Sequence, residues 1–218
     1  MVLQEDNGEV LIDLGPEDLG PDSRPASFYI RQENDKYYMW LNTYKVGSGC
    51  PDTDQLLESD DGLVWENRTD TNLEVTGSYK RTYGIGEVIT DGTTYHGWGV
   101  YYYEWSAGWG SAIRYITSSN GITWNIINQP ALIGAGNLSV IKNGSTYHLW
   151  ATRSFDPNFY GGTYALRYRI STSPGTGWGH WQTGGTTAVV DGNEVTTRNR
   201  VRQQDDDSYQ MFYVSGTL

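Results

Sequence analysis

Two adjacent carboxylates, Asp60 and Asp61, lie in the segment ESDDGLVWE (58–66), where they could form an acid and base pair or hold a metal ion. The same phrase occurs twice more, as SSNGITW (118–124) and STSPGTGW (171–178), with Ser, Thr or Asn in place of the two carboxylates. Catalytic carboxylates would not be interchangeable in this way, whereas Asp, Asn and Ser all tighten turns by bonding to their own backbone. We therefore interpret the segment as a turn between strands and expect any chemistry elsewhere.

The histidines, the cysteine and the acidic run at 205–207 do not predict a dedicated metal or thiol site. His96 and His148 directly follow the tyrosine of the repeated motif described below, so they belong to different repeats, and packing is the preferred interpretation. Cys50 is the single cysteine, which excludes an internal disulfide framework. Residues 205–207 are three aspartates without the staggered ligands and glycine of a calcium loop, so a solvated hairpin turn is preferred. We expect no cofactor, with a structural calcium ion as the alternative left open.

Four copies of one unit account for most of the chain. In each copy a polar turn precedes a tyrosine, and an aromatic residue follows that tyrosine three positions later, at Trp40, Trp98, Trp150 and Phe212. A short strand-like run precedes each turn, which predicts a hairpin. In the first three copies a third strand leads into the turn described above, and a fourth strand begins at its tryptophan. Each unit is thus a four-stranded meander, and radial stacking of such sheets is a β-propeller.

The predicted fold is an all-β β-propeller of four-stranded antiparallel blades, with about four repeat units in four or five blades and the last unit incomplete. We expect a single domain over residues 1–218. Its units are placed at about 16–75, 76–130, 131–190 and 191–218. Residues 8–15 resemble the tail of another unit, so we expect them to complete the last blade. Three alternatives remain for its missing strand: a reduced blade, a truncated chain, or a strand from another chain.

The charge balance disfavours two classes of partner. Asp and Glu number 26 against 15 Lys and Arg, a net charge of −11. Nucleic acids and anionic membranes would be repelled, because affinity for both comes from basic side chains. No apolar run reaches the ~18 residues of a membrane span, and residues 1–6 lack the features of a signal peptide. We expect a soluble protein of unknown location, with an extracellular or periplasmic site after signal removal left open.

The two recurring motifs, a hairpin ending in Y-x-x-W and a turn of the form S-x-D-G-x-x-W, resemble the repeat of the five-bladed β-propeller glycosidases. These are the arabinanase and β-xylosidase type, with the invertase and levansucrase type as relatives. The resemblance implies an active site in the axial funnel, where acidic residues near the starts of inner strands act as base, pKa-tuning Asp and general acid. The positions equivalent to the family's base are not acidic: Ala26, Ile85, Asn137 and Thr197. The candidate catalytic carboxylates are therefore those nearest the funnel: Glu87, Asp22, Glu104 and Asp156.

The other funnel candidates indicate a recognition surface. Arg24, Asn137, Arg198 and Arg200 fall on or beside predicted inner strands, which are normally apolar. Arginine forks suit an anion or polyol ligand, although pairing with buried carboxylates near the axis is an equal alternative. The segment WGVYYYEWSAGWG (98–110) adds aromatic rings, which offer sugars an apolar face and a polar handle. We expect Tyr101 and Tyr103 to pack in the core and Trp105 and Trp109 to contact ligand.

The leading functional hypothesis is carbohydrate recognition on a glycosidase-like propeller, with a glycan or oligosaccharide as partner and catalysis left open. The first alternative is an active inverting glycoside hydrolase on a plant-type polysaccharide. The second is a non-catalytic propeller that binds protein. The incomplete terminal blade also suggests a homo-oligomer.

Overall fold

The computed structural model describes residues 2–4, 10–13, 22–45, 51–71, 73, 79–105, 108–133, 135–154, 164–178 and 195–216. All regular secondary structure in these ranges is β-strand. Within the same ranges no helix is long and apolar enough to cross a membrane.

The strands form consecutive antiparallel sheets along the chain. The first sheet contains β1 (Val2–Gln4) and β2 (Val10–Asp13). Blade 1 contains β3 (Ser23–Glu33), β4 (Lys36–Lys45), β5 (Pro51–Ser59) and β6 (Glu66–Asp70). Blade 2 contains β7 (Tyr79–Thr90), β8 (Tyr95–Trp105), β9 (Gly108–Ser118) and β10 (Trp124–Ile133). Blade 3 contains β11 (Ala135–Asn143), β12 (Thr146–Ser154) and β13 (Tyr164–Ser171). Blade 4 contains β14 (Val195–Gln203) and β15 (Tyr209–Gly216).

The architecture confirms the predicted β-propeller of antiparallel meanders. Blades 1 and 2 have four strands each in the expected order, while the described residues supply three strands of blade 3 and two of blade 4. The four-unit division and the single-domain boundary stay predictions. The contribution of residues 8–15 to the last blade also stays a prediction; among the described strands β2 pairs with β1, and β14 pairs with β15.

The acidic pair at 60–61 lies in a turn, as predicted. The hydroxyl of Ser59 accepts hydrogen bonds from the amides of Asp61 (3.3 Å) and Gly62 (2.8 Å). The carboxylate of Asp61 accepts from the amides of Leu63 (2.8 Å) and Val64 (2.9 Å). These bonds satisfy four backbone donors where the chain reverses, and Gly62 supplies the positive φ of 79° that the turn requires. Ser118, Asn120 and Gly121 make the same turn in blade 2.

Each of these signature turns, defined as residues 59–65, 118–124 and 171–178, lies near the start of a blade's second strand. In blades 2 and 3 the turn also contacts the preceding blade. The indole of Trp40 in blade 1 donates to the carbonyl of Gly121 (2.9 Å), and that of Trp98 in blade 2 donates to Pro174 (3.1 Å). Both tryptophans are fully buried, at 2% and 0% exposure. The repeat aromatic therefore joins each of these blades to the next by an apolar ring and one directed hydrogen bond.

The two repeat histidines pack as expected rather than converging. His96 bonds the Tyr115 hydroxyl through Nδ1 at 2.6 Å, and His148 bonds Tyr168 in the same way at 2.6 Å. Each tyrosine is on the third strand of the same blade, so each pair ties two strands of one sheet together. His180 lies outside the described residues. At 205–207 the carboxylate of Asp206 accepts from the amide and hydroxyl of Ser208, as expected of a hairpin turn.

Candidate functional site

Four side chains at equivalent positions meet where the first strands of the four blades approach one another. Each pairs in register with the repeat aromatic of its own second strand: Tyr29 with Trp40, Glu87 with Trp98, Ser139 with Trp150, and Arg200 with Phe212. Directly paired residues of an antiparallel hairpin lie on the same face of the sheet, so each of these four side chains is on the face that carries the repeat aromatic of its own blade. We call Tyr29, Glu87, Ser139 and Arg200 the axial cluster.

Glu87 is the acceptor at the centre of the axial cluster. Glu87 is only 4% exposed, yet both of its carboxylate oxygens accept hydrogen bonds. The guanidinium of Arg200 spans the two oxygens at 3.0 and 3.1 Å, which is the bidentate geometry of a strong ion pair. The amide of Val140 (3.1 Å) and the hydroxyl of Ser139 (3.3 Å) also donate to Oε2. The sequence left open whether the arginines near the axis bind a ligand or pair with a buried carboxylate. For Arg200 the pairing is confirmed.

Arg200 is held on one side and open on the other. Its guanidinium carbon lies 4.5 Å from the centroid of the Tyr29 ring, a cation–π contact. It also approaches the carbonyl of Gly86 at 3.5 Å. Its side chain nevertheless keeps 44% exposure, against 5% for the side chain of Glu87. An arginine carries five N–H donors, so the exposed edge can still donate to a ligand.

Hydrogen bonds from the axial cluster tie all four first strands together. The hydroxyl of Tyr29 on β3 donates to the carbonyl of Val88 on β7 (2.9 Å). The hydroxyl of Ser139 on β11 accepts from the amide of Val201 on β14 (3.1 Å), while donating towards Glu87. Burial, followed by the nearby charge of Glu87, raises the pKa of Tyr29, so its phenol stays a neutral donor.

Burial likewise raises the pKa of Glu87 above its ordinary value, and Arg200 followed by the Val140 amide partly offsets this effect. A raised pKa is what a general acid needs, but a glycosidase acid works with a second carboxylate that activates water or attacks the sugar. Among the side chains that the structure describes, Glu87 is the only carboxylate of the axial cluster. The cluster can therefore hold donors in a fixed arrangement, and its described residues do not form a pair of catalytic carboxylates.

Apart from Asp156, the other predicted site residues lie at the end of the propeller where the first strands begin. Asp22 immediately precedes β3 and is exposed. Asn137 is exposed at the start of β11, with a φ of +43° and a 3.5 Å contact from its amide nitrogen to the Thr152 hydroxyl. Arg24 and Arg198 are near the starts of β3 and β14 by strand register, and Glu104, Trp105 and Trp109 form the β8–β9 hairpin at the same end. The side chains of these five residues, and all of Asp156, lie outside what the structure describes.

Each first strand has a β-bulge one to three residues before its axial-cluster residue. The residues left out of the pairing are Ala26, Asn137 and Thr197 in blades 1, 3 and 4 and Gly86 in blade 2. Ile85, which the sequence grouped with Ala26, Asn137 and Thr197, pairs with Gly99 next to the bulge and is buried at 2%. Bulges redirect side chains and accumulate near functional sites. Here each bulge lies between the axial-cluster residue and the start of its first strand.

Sequence reasoning found Glu87 and Arg200 but missed Tyr29 and Ser139. The missing signal was the hairpin register: counting back from each hairpin turn to the partner of the repeat aromatic gives all four axial residues. Tyr101 packs in the core as expected, at 1% exposure. The side chain of Tyr103 lies outside the described part of the chain.

No protein-family model and no curated protein matches the chain. Solved structures do. One named "Glycoside hydrolase" superposes with a TM-score of 0.66 at 14% identity, over 88% of this chain and 66% of that one. The Bombyx mori GH32 beta-fructofuranosidase BmSUC1 gives 0.58 at 11% identity, over 88% and 48%. The Bacteroides ovatus Xyloglucan PUL GH43B gives 0.54 at 11%, over 85% and 35%.

This chain spans about two thirds of the first of these structures and half or less of the other two. At such low identity the likeness concerns the fold alone. The similar structures include glycoside hydrolases of families 32 and 43, which are five-bladed β-propeller enzymes. The chain therefore has the fold of the five-bladed β-propeller glycoside hydrolases, which is the resemblance that its two repeat motifs indicated.

Proposed function

We propose that the protein binds a neutral carbohydrate at the exposed edge of Arg200 in the axial cluster, without hydrolysing it. The observation that carries this proposal is the state of Arg200. Its guanidinium is fixed by a buried carboxylate and an aromatic ring, yet 44% of the side chain is exposed. A donor that is already held in place loses little conformational entropy when a ligand binds, which favours recognition.

The charge of the axial cluster supports a neutral ligand over an anionic one. Glu87 cancels the charge of Arg200 across two short contacts, so the exposed guanidinium edge offers N–H donors with little net positive potential. The whole protein carries a charge of −11, which would repel an anion further. Sugar hydroxyls accept hydrogen bonds without bringing charge. The proposed ligand is therefore an uncharged oligosaccharide.

The ligands of the structures with a similar fold also favour testing a carbohydrate. One of the similar structures is a Bombyx mori beta-fructofuranosidase in complex with sucrose, and another is a Xanthomonas citri GH43_1 enzyme complexed with xylotriose. These ligands belong to those proteins, and a shared fold does not transfer a ligand. They do make glycans the first class to test.

The test is binding of neutral oligosaccharides, screened on a glycan array and measured by calorimetry. Arg200→Lys keeps a positive charge beside Glu87 but loses the planar fork, so we expect affinity to fall about tenfold or more. Arg202→Lys makes the same change two residues along β14 and should leave affinity unchanged. Equal affinities for wild type and Arg200→Lys would contradict the assigned site.

An inverting glycoside hydrolase acting on plant-type polysaccharide is the second candidate, favoured by the raised pKa of Glu87. It predicts release of reducing sugar from arabinan, xylan or aryl glycosides, and loss of that release in Glu87→Gln. The recognition proposal predicts binding without turnover in the wild type. Turnover that disappears in a folded Glu87→Gln variant would replace the proposal with the hydrolase.

A further inference from the structure

The signature turn of blade 1 differs from its counterparts in what lies against it among the described residues. In blade 2, Gly121 lies so close to Trp40 of blade 1 that an added Cβ would meet that ring at 3.3 Å, and Ile122 packs on the cluster containing Trp40. In blade 1 the equivalent Gly62 faces Tyr37 of its own blade. Leu63, the counterpart of Ile122, is 54% exposed. The turn at 59–65 thus exposes an apolar surface. The equivalent surface of the blade 2 turn is buried against blade 1.

The second strand of blade 4 differs from those of blades 1 and 2 in the exposure of its repeat aromatic. The repeat aromatic is 2% exposed at Trp40 and 0% at Trp98, because the next blade's turn covers it. The same position in blade 4 is Phe212, which is 51% exposed. Exposing half of a large aromatic ring is costly in water, since burial of such a ring dominates the energetics of interfaces.

Charged side chains lie beside both of these apolar surfaces. The guanidinium of Arg202 lies 5.4 Å from the centroid of the Phe212 ring and is itself exposed. Beside Leu63 and Val64, which is 61% exposed, the turn carries Asp60 with 87% of its side chain in solvent. Arg202 beside Phe212 and Asp60 at the turn have opposite charges, while Lys36 lies 3.6 Å from Asp60 and the exposed Asp205, Asp206 and Asp207 follow Arg202 in its hairpin. The match therefore rests first on the apolar side chains, with Arg202 and Asp60 as one ionic contact.

We propose that the blade 1 turn of one copy docks on the Phe212–Arg202 surface of a second copy. The contact repeats between molecules the turn-on-aromatic packing that joins blade 1 to blade 2 and blade 2 to blade 3 within the chain. A single copy does not make it, because Leu63, Val64 and Phe212 are all exposed in the same molecule. The two surfaces differ, so the interface is head-to-tail and each copy keeps one surface available for the next.

The experiment measures mass in solution by sedimentation across the micromolar range. The wild type should form dimers and larger species, with less assembly at high salt because part of the contact is ionic. Leu63→Asp and Phe212→Asp change exposed residues, so each should fold, as circular dichroism would verify, and each should be monomeric. Ile127→Asp replaces another exposed apolar residue, 40% exposed on β10, and should assemble like the wild type.

Mixing the two monomeric variants distinguishes the proposed head-to-tail interface from any other interface. The Leu63→Asp variant keeps the Phe212 surface and the Phe212→Asp variant keeps the turn, so a head-to-tail contact predicts one dimer per pair and nothing larger. A wild type that is monomeric throughout, a mixture that stays monomeric, or an Ile127→Asp variant that dissociates equally would each overturn the proposal. A monomeric wild type would also assign these two surfaces to a different occupant.

Discussion

Replacing Asp54 with asparagine tests the electrostatics of the contact between blades 1 and 2. Asp54 on β5 is 4% exposed, and its carboxylate accepts one hydrogen bond from the Asn42 amide at 3.1 Å. Gly84 of blade 2 lies directly against it, since an added Cβ there would meet Asp54 Oδ1 at 2.8 Å. Burial raises the pKa of Asp54 from 3.8 to about 7, with the Asn42 bond opposing the shift.

The sign and size of the effect follow from this pKa. The folded value exceeds the unfolded one, so the folded state favours the protonated carboxyl. Its contribution to stability is complete below about pH 4 and is lost as the pH rises to about 7. At about 1.4 kcal/mol per pKa unit, a shift of roughly three units corresponds to about 4 kcal/mol. Asparagine has the shape of the protonated carboxyl, keeps an oxygen for Asn42 and cannot ionise.

Urea unfolding of both proteins at intervals from about pH 4 to pH 8 measures the difference. Near pH 4 the two free energies of unfolding should agree closely, and at pH 8 the Asp54→Asn variant should be more stable by up to about 4 kcal/mol. Burial, followed by the charge of Asp54, raises the pKa of Tyr101 above its ordinary value, so the phenol stays protonated in both proteins over this pH range. Asp70→Asn removes an exposed carboxylate and controls for the lost charge. Parallel curves for wild type and Asp54→Asn would refute the reasoning.

Three further substitutions test the packing of the blades, each by chemical or thermal unfolding. Gly84→Ala places a methyl group on Asn42 and Asp54 at a φ of 81° and should cost about 2–5 kcal/mol. Gly92→Ala, at a φ of 96° with open space around it, should cost only about 1 kcal/mol; equal costs would contradict the steric account. Trp98→Phe removes the hydrogen bond to the Pro174 carbonyl and should cost about 2 kcal/mol, and a neutral result would show that the ring alone joins the blades. Asp61→Ala leaves two turn amides without their acceptor and should lower Tm more than Asp60→Ala, whereas the reverse order would argue against the turn bonds.

The fold could be predicted because its repeat is local and appears several times in the sequence. A hairpin turn, a repeat aromatic and a signature turn recur in order, and each copy checks the interpretation of the others. The comparison of Asp61 with Asn120 identified a turn rather than a catalytic pair, and the hydrogen bonds confirm it. The pairing of β2 with β1 could not be predicted in this way, because residues 8–15 resemble only the tail of a unit and contain neither of its two motifs.

The axial cluster was harder to predict because the repeat does not constrain its composition. Glu87 stood out as a carboxylate in an apolar run, and Arg200 as a charged residue on an inner strand. Tyr29 and Ser139 are ordinary strand residues, and only pairing register reveals that they occupy equivalent places. The bulges lie at different distances from the cluster in the four first strands, so sequence spacing alone does not give the equivalent positions.

The register also explains why this position can carry function. On the second strand the residue must be large and aromatic, because it covers the contact with the next blade, as at Trp40 and Trp98. Its partner on the first strand contacts the other blades through the axial cluster, so its composition must be compatible with that of the other three partners. A phenol, a carboxylate, a hydroxyl and a guanidinium satisfy one another here: the carboxylate of Glu87 is buried, and Arg200 and Ser139 both donate to it. Removing one partner would leave a buried polar group without its bond, so these residues should vary together rather than singly. The blade contacts thus fix the aromatic residue of each second strand, while its four partners on the first strands remain able to change their chemistry as a set.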